Sequence, residues 1–488
     1  MNAAAVECDL CVVGAGIAGL NVAHAATNYD HAKSVVIVDR IANPGGMWNN
    51  IYDFVRLHQP HPLFTAGDVP WNLNQPPAYL ASKKEVVAHT QHCLNAIRKR
   101  AAVHEYFEHD FQSLEEQTVD GQEVVDVALQ SLNGGASVSI RARQVIKAFG
   151  YDIKPLPALN VSSTRIISVS PHDTALFDSQ HANSPVYIVG GGKTAMDTAC
   201  TLLKQFPGRP VTLIIGHGTM FINRDRVFPR GLSRWFGGST LAESFMDVTM
   251  RYNGDNEDEM LKYFNRQYGL SLGDAPQNFF FGALSEQEFA LVKGGARQVV
   301  VDYFKDVVDS GERTEIHFNN LPPQPIEPGA MIVNCSGYTM REVHPYEPYV
   351  SPSGKVIAVQ NTSSIHFLTT FAGYYFGHLW GLGNIREVPL YAMNLEELAQ
   401  RHRKVFGFAA MSHMMYNTLV VLGSVPIDVM ANCGLDFERW YPLPRRLWVF
   451  SQLKRRREEL LSHLRVTLDR VCNKYGIEGG VMVDNSVV

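Results

Sequence analysis

A chain of 488 residues exceeds what one ordinary hydrophobic core supports, so two globular domains are expected. With 45% hydrophobic and 19% charged residues it can bury a large ligand, and its composition excludes a disordered chain. The 43 basic and 48 acidic residues are interspersed and leave a net charge of −5, which excludes an extended basic surface for DNA or RNA.

The opening, MNAAAVECDLCVVGAG, carries Glu7 and Asp9 and no basic leader, so its apolar run predicts a strand rather than a secretory signal. That strand, Asp9 to Val13, runs into GAGIAG (Gly14 to Gly19), a helical pattern through Asn28 and a second strand at Ser34 to Asp39. The same grammar returns as a strand at Pro185 to Val189, GGGKTA (Gly190 to Ala195), a helix to about Phe206 and a strand at Val211 to Ile215. Two nucleotide-binding units are therefore expected in an α/β chain with two Rossmann-type domains. Proline-rich turns near Tyr151 to Asn160 and Leu321 to Gly329 mark the second unit as an insertion into the first.

The predicted boundaries are 1–154 and 329–400 for the first domain, 155–328 for the second, and 401–488 for a helical extension. Within the second domain, 231–311 reads as a mostly helical insert, with GDNEDEM and GLSLGDAPQNFFFG as loops. Val405 to Ile427 lacks formal charge over a bilayer-compatible length, but its Gly407, His413, Asn417, Gly423 and Pro426 predict a packed or site-lining segment. Trp448 to Val471 places Leu453, Leu460, Leu461, Leu464 and Leu468 on one helical face, a surface for a second subunit. Seven scattered cysteines without a framework spacing indicate a reducing, cytoplasmic compartment.

The first glycine motif has a stated chemistry. Gly14 permits the tight turn, Gly16 lets backbone approach a pyrophosphate, and Gly19 lets the helix pack on its strand while the helix N-terminus faces the anion. Asp39, twenty residues after Gly19, stands where a carboxylate accepts hydrogen bonds from an adenosine ribose and repels a 2′-phosphate, with Arg40 beside it. In the second motif Gly190, Gly192 and Ala195 form a G-x-G-x-x-A turn opening a helix near Lys193 and Thr194. The strand after it ends at Ile215-Gly216-His217 without an acid, which favours NADPH over NADH, with Lys193, His217, Arg224 or Arg226 available to a 2′-phosphate. Asp197 reads as an acid placed for the helix dipole.

Directly after Asp39 come Gly45-Gly46-Met47-Trp48, then Val55 to Pro60 and Asp68 to Trp71, and later Asn334 to Tyr338. In these elements the chain resembles the flavin-containing monooxygenase family in its broad sense, including the Baeyer–Villiger and N-hydroxylating branches, over roughly residues 8 to 385. The resemblance implies FAD at the first turn, with Gly46, Met47 and Trp48 along the flavin and Ser336 and Gly337 where the chain re-enters the FAD domain, and NADPH at the second. It implies that reduced flavin captures O2 as a 4a-(hydro)peroxide and passes one oxygen atom to a small organic substrate. N- or S-oxygenation is favoured, with Baeyer–Villiger oxygenation, an NADPH oxidase or reductase, and a non-catalytic flavin binder as alternatives. Many family members have asparagine where this chain has His58; His58, with Gln59 next to it, is the expected catalytic position, able to titrate near neutral pH. The fingerprint F-x-G-x-x-x-H-x-x-x-W between the two glycine motifs is absent. A flavin disulfide reductase would need a redox cysteine pair by the flavin, and none lies between Cys11 and Cys93. Cys8 and Cys11 read as small buried hydrophobes. Substrate contacts are expected from 73–80, 231–311 and the aromatic run at 371–384, with Tyr375 and Trp380 as its candidates. No metal site is expected.

Overall fold

The structure, a computed structural model, describes residues 5–150, 153–338, 345–359, 368–483 and 486–487. Tyr151, part of the expected domain exit, lies outside the described residues.

Strand β1 (Val6–Val13) ends in four consecutive buried residues, the pattern of a strand covered on both faces of a parallel sheet. It feeds α1 (Ile17–Ala26) and β2 (Ser34–Asp39). A long excursion follows, then α2 (Lys83–Arg98), whose start is fixed by a capping box in which Ser82 and Glu85 satisfy each other's backbone N–H groups. β3 (Ala102–Phe107), β4 (His109–Val119), β5 (Gln122–Ser131) and β6 (Val138–Lys147) complete a sheet of order β3-β2-β1-β6-β5-β4. β1 pairs in parallel with both β2 and β6, whereas β4, β5 and β6 form an antiparallel meander.

The second unit begins with β7 (Ile167–Val169), β8 (Val186–Val189), α3 (Lys193–Gln205) and β9 (Val211–Ile214). The chain continues through β10 (Thr219–Asn223), α4 (Arg224–Val227), α5 (Ser233–Phe236), α6 (Leu241–Arg251), α7 (Glu257–Gln267), β11 (Gly269–Ser271), β12 (Asn278–Leu284) and α8 (Glu286–Gly295). It closes with β13 (Gln298–Val300), the hairpin strands β14 (Phe304–Ser310) and β15 (Arg313–Phe318), β16 (Gln324–Pro325) and β17 (Met331–Asn334). The parallel sheet here runs β13-β9-β8-β17-β7.

Three expectations change. The strand after Gly329 belongs to the second sheet, because β17 pairs between β8 and β7, so the chain leaves this unit only after Asn334. The 231–311 segment is mixed rather than mostly helical. GDNEDEM opens α7, with Glu257, Asp258 and Glu259 in its positively polarised first turn, and NFFFGAL forms β12 by pairing with β10.

Farther along, β18 (Val356–Ala358) pairs with β6 and returns the chain to the first sheet. Helix α9 (Leu368–Gly381) lies on α1, where a side chain at Gly373, Gly377 or Gly381 would collide with Ala18, with Val22 and Ala25, or with the Tyr29 ring. The layer ends with β19 (Tyr391–Met393), α10 (Leu395–Arg401), α11 (Arg403–Leu422), α12 (Ile427–Ala431), α13 (Leu443–Arg455), α14 (Arg457–Tyr475) and β20 (Gly479–Val483), which pairs with β19. α11 is long and apolar enough to cross a membrane by length and composition, and 89% of its apolar window is buried inside the protein. The expected single C-terminal helix is two, parted at Arg456. Its leucine face is not open to a partner, since Leu453, Leu460, Leu464 and Leu468 are buried in the chain's own core.

Candidate functional site

Both glycine turns open on one cleft of about 1170 Å³. At the first turn Gly14 has φ +113°, and a Cβ there would overlap the Ala148 carbonyl oxygen at the end of β6. The second turn repeats the arrangement: Gly190 has φ +138°, and its Cβ would overlap the Cys335 carbonyl just past β17. In each unit the strand that crosses back presses a carbonyl against the first glycine, so only glycine fits. Gly19 packs on the Gly14 backbone, as its expected helix-packing role requires.

Gly46 touches the first turn, with a Cβ on it reaching the Gly16 Cα at 3.0 Å, and Gly45 N–H donates to the Ala15 carbonyl at 2.9 Å. The G-G-M-W element is therefore bonded to the pyrophosphate turn, and Met47 and Trp48 line the cleft beside it. Trp48 meets Phe64 edge-on at 5.7 Å. Asp39 also lines the cleft, and its carboxylate accepts from Ala15 N–H at 2.6 Å and Ile41 N–H at 2.9 Å. Thus Asp39 shapes the turn from within the cleft wall; burial raises its pKa. Arg40 lies at the rim, 3.8 Å from Asp110.

His58 and Gln59 line the same cleft, as do Gly190, Gly192, Lys193 and Thr194 of the second turn and Ser336 and Gly337. Burial, then the positive charges of Lys193 and Arg224, hold the His58 pKa well below its ordinary value. Against the expected titration near neutral pH, this shift favours the neutral imidazole at His58, which is half-buried in the cleft wall. Its neighbour His61 is structural, buried beneath Trp71 at 5.3 Å with Nδ1 3.1 Å from the Tyr79 carbonyl.

Lys193, expected as one of four candidates for a 2′-phosphate, has a partner of its own. It pairs with Asp197 one turn along α3, and Asp197 Oδ2 accepts a 2.8 Å hydrogen bond from the Tyr52 hydroxyl. The acid read as a dipole partner thus fastens the two units together. Arg224 is likewise committed, buried against Glu288 at 2.7 Å, and Arg226 lies over the Tyr268 ring. At the end of β9 only exposed His217 remains of the four, edge-on to Tyr303 at 5.0 Å. An acid does approach this end of the cleft, Asp302, but its oxygens accept from Tyr303, Asn320 and Leu321 N–H groups and the Asn320 amide. Ser336 Oγ donates to Asn334 Oδ1 at 2.7 Å, and the Asn334 amide donates to the Pro157 carbonyl, so the end of β17 ties down the segment that leads into the second unit.

The walls were only partly foreseen. Phe280 and Phe281 of the predicted insert and Phe371 of the aromatic run line the cleft; Tyr375 and Trp380 do not. Trp380 packs on His31 instead, 4.8 Å between centroids. Residues 73–80 are absent from the lining, and one face of α11 (Arg403, Phe406, Ala410, Met414) supplies a wall that no motif announced. The one available signal was the uncharged 405–427 run at helical spacing. All seven thiols are free and buried, and Cys335 is the only one among the described residues to line the cleft, with burial pushing it up to about 12.

Fold and paired turns define an architecture of two Rossmann-type units whose glycine turns share one cleft. A family model described as "Pyridine nucleotide-disulphide oxidoreductase" matches residues 8–236. Among solved structures, cyclohexanone monooxygenase from Rhodococcus sp. Phi1 bound to NADP+ is similar at a TM-score of 0.50 and 11% identity, covering 85% of this chain and 93% of that one. Flavin-containing monooxygenase from Stenotrophomonas maltophilia aligns at 0.46 and 14%, covering 78% and 98%. The bacillithiol disulfide reductase of Bacillus cereus aligns at 0.42 and 13%, covering 78% and 98%. At these identities the likeness is one of fold. Among curated proteins, the uncharacterized protein Rv2000 of Mycobacterium tuberculosis is 27% identical over 216 residues, 41% of this chain. The match spans 36% of that relative's length.

Proposed function

We propose that this chain is an FAD-dependent, NADPH-using monooxygenase that oxygenates a small organic substrate, at nitrogen or sulfur in preference to a ketone carbon. The observation that carries the reading is the convergence of two built pyrophosphate turns on one cleft that holds no cysteine pair among its described lining. A disulfide reductase needs such a pair, and a lone buried Cys335 with a raised pKa makes a poor thiolate.

The residues fit the cofactors. The α1 N-terminus and Gly16 would receive the FAD pyrophosphate, Asp39 the ribose, and Gly46, Met47 and Trp48 the flavin side. Gly192, with nothing within 4 Å of a Cβ, leaves the α3 N-terminus open to the NADPH pyrophosphate. His217 would meet the 2′-phosphate. When bound, flavin and nicotinamide together supply hydride transfer and O2 activation. The chain's part is to align them, exclude water with the aromatic wall of Phe280, Phe281 and Phe406, and offer His58 as a neutral hydrogen-bond partner at the reacting edge beside Gln59. Free buried thiols accord with the cytoplasm as its location.

The test is anaerobic reduction of the purified flavoprotein by NADPH and by NADH, then rapid mixing with O2 while flavin absorbance and hydrogen peroxide are followed. Preferential reduction by NADPH and a delayed, two-step return of the oxidised spectrum support the proposal. A one-step return with stoichiometric hydrogen peroxide identifies an oxidase, and no reduction by either nucleotide identifies a flavin binder without turnover.

A further inference from the structure

A second cavity lies outside the cofactor cleft, between α6, α11, α12 and α13, with a volume of about 240 Å³. Its wall is almost wholly hydrocarbon: Phe245, Met415, Met430, Val449 and Leu453 are representative. Its mouth is marked by residues that line the cavity and yet stand in solvent, Ile427 at 73% exposed and Leu443 and Leu447 at 59% each. Large apolar side chains held in water at the opening of an apolar cavity are the signature of a ligand site rather than of core packing.

Five residues with polar side chains line the cavity, Tyr375, Thr418, Asp436, Glu438 and Arg446, and the last two mark its depth and its rim. Arg446 is set on α13 between Leu443 and Leu447 and lines the cavity, and among the described residues no acid or carbonyl engages its guanidinium. Deeper, Glu438 Oε1 accepts from Ala242 N–H at 2.9 Å while buried Oε2 has no partner. Burial, then the nearby Asp436 charge, pushes Glu438 up to about 8, which favours its neutral form and leaves Asp436 as the other acid in the wall. The short helical turn from Phe437 to Trp440 separates the two cavities: Phe437 faces the cofactor cleft, Glu438 this one, and Leu241 lines both.

We propose that this cavity binds a single-chain anionic amphiphile, its hydrocarbon inside and its carboxylate or phosphate head on Arg446. A half-buried, unpaired guanidinium at the rim of an apolar cavity matches such a molecule at both ends. If a methylene fills about the 30 Å³ of one water, the cavity holds roughly eight, which sets the chain length at that of a medium-chain fatty acid or the first part of a longer one. The head could belong to a free fatty acid or to a lipid in a bilayer; the chemistry is shared and the experiment separates them.

The probe is decanoate, titrated calorimetrically into the FAD-loaded protein, with hexanoate and decyltrimethylammonium beside it and phosphatidylglycerol vesicles in a sedimentation assay. The expected result is binding of decanoate at least tenfold tighter than hexanoate, a loss of tenfold or more in Arg446→Gln, and abolition in Met430→Trp, which fills the cavity. Flavin absorbance and reduction by NADPH should be unchanged in both variants. Should Met430→Trp fail to fold, Leu447→Glu at the exposed mouth replaces it and should repel the head with the same loss. Vesicle binding that is sensitive to Arg446→Gln, without decanoate binding, supports the site with a bilayer lipid as its source. The proposal is overturned if neither decanoate nor vesicles bind, if the variants bind like the parent, or if decyltrimethylammonium binds more tightly than decanoate.

Discussion

The Tyr52 hydroxyl of the first unit donates to the Asp197 carboxylate of the second at 2.8 Å, and the same carboxylate holds Lys193. A side chain from the flavin-side excursion thereby fixes the first turn of the helix that would receive NADPH. Tyr52→Phe removes one charge-assisted bond, about 1.5–3 kcal/mol, of which part falls on nucleotide binding. The expected outcome in anaerobic stopped flow is a roughly tenfold higher NADPH concentration for half-maximal flavin reduction, with FAD retention unchanged.

The glycines separate into two kinds. Gly14→Ala and Gly190→Ala would each drive a methyl into a carbonyl oxygen at positive φ, costing about 3 kcal/mol or more, whereas Gly192→Ala meets nothing within 4 Å. Gly14→Ala should therefore lose FAD and melt early, and Gly190→Ala should melt early. Gly192→Ala should fold, keep its flavin spectrum and lose affinity for NADPH alone. Thermal melts with flavin fluorescence distinguish the three.

Stability should fall in mild acid. His413 is fully buried, with Nε2 2.7 Å from the Tyr391 carbonyl, and its other nitrogen has no partner. Burial lowers its pKa to about 4, and a second ring proton would have no acceptor among the described residues. A histidine with a depressed folded pKa contributes stability above its unfolded value near 6.5 and loses it as pH falls from there toward 4. At pH 5 the loss is about 2 kcal/mol for this one group. His413→Asn should be less stable than the parent at pH 8 and show a shallower loss of Tm between pH 7 and 5.

Cys335 offers a sharp contrast with thiol chemistry. Its sulfur lies 3.5 Å from Thr198 Oγ1 at the back of the cleft. Cys335→Ala should leave the rate of NADPH-driven flavin reduction within about threefold of the parent. A loss of a hundredfold or more would reinstate a cysteine-dependent reductase.

On the proposed reading, His217 at the end of β9 sets the nucleotide preference, although it stands outside the cleft lining itself. With the Asp302 oxygens already engaged, an added carboxylate should change the choice: His217→Asp is expected to lower the NADPH-to-NADH preference by tenfold or more in reduction kinetics.

The sequence made the two nucleotide-binding units plain because their parts are local: a strand, a glycine turn and a helix lie within about thirty residues, and each shows its own period. β2 emerged at its predicted bounds, and α3 ends within a residue of expectation. What depended on distant partners was hidden. β17 reads the same whichever sheet claims it, and only its hydrogen bonds to β7 and β8 decide. Lys193 and Asp197 stand at i,i+4 on α3, a pair within reach of the sequence, whereas the Tyr52 bond to Asp197 needs the second unit docked on the first. α11 gave an apolar run but no motif, so its role as a wall of the cleft became visible only once Phe406, Ala410 and Met414 were brought opposite the glycine turns.

The three glycines of α9 bear on the other end of the chain. Because each carries no side chain, the backbone of α9 acts as a straightedge laid along α1 and the turn after it, meeting them at Ala18, Val22 and Tyr29. The turn that begins α1 therefore takes its position from residues more than three hundred places downstream. A fragment ending before α9 would keep every letter of the first glycine motif and lack the rail that holds its helix in line, which makes the N-terminal unit a poor candidate for separate expression.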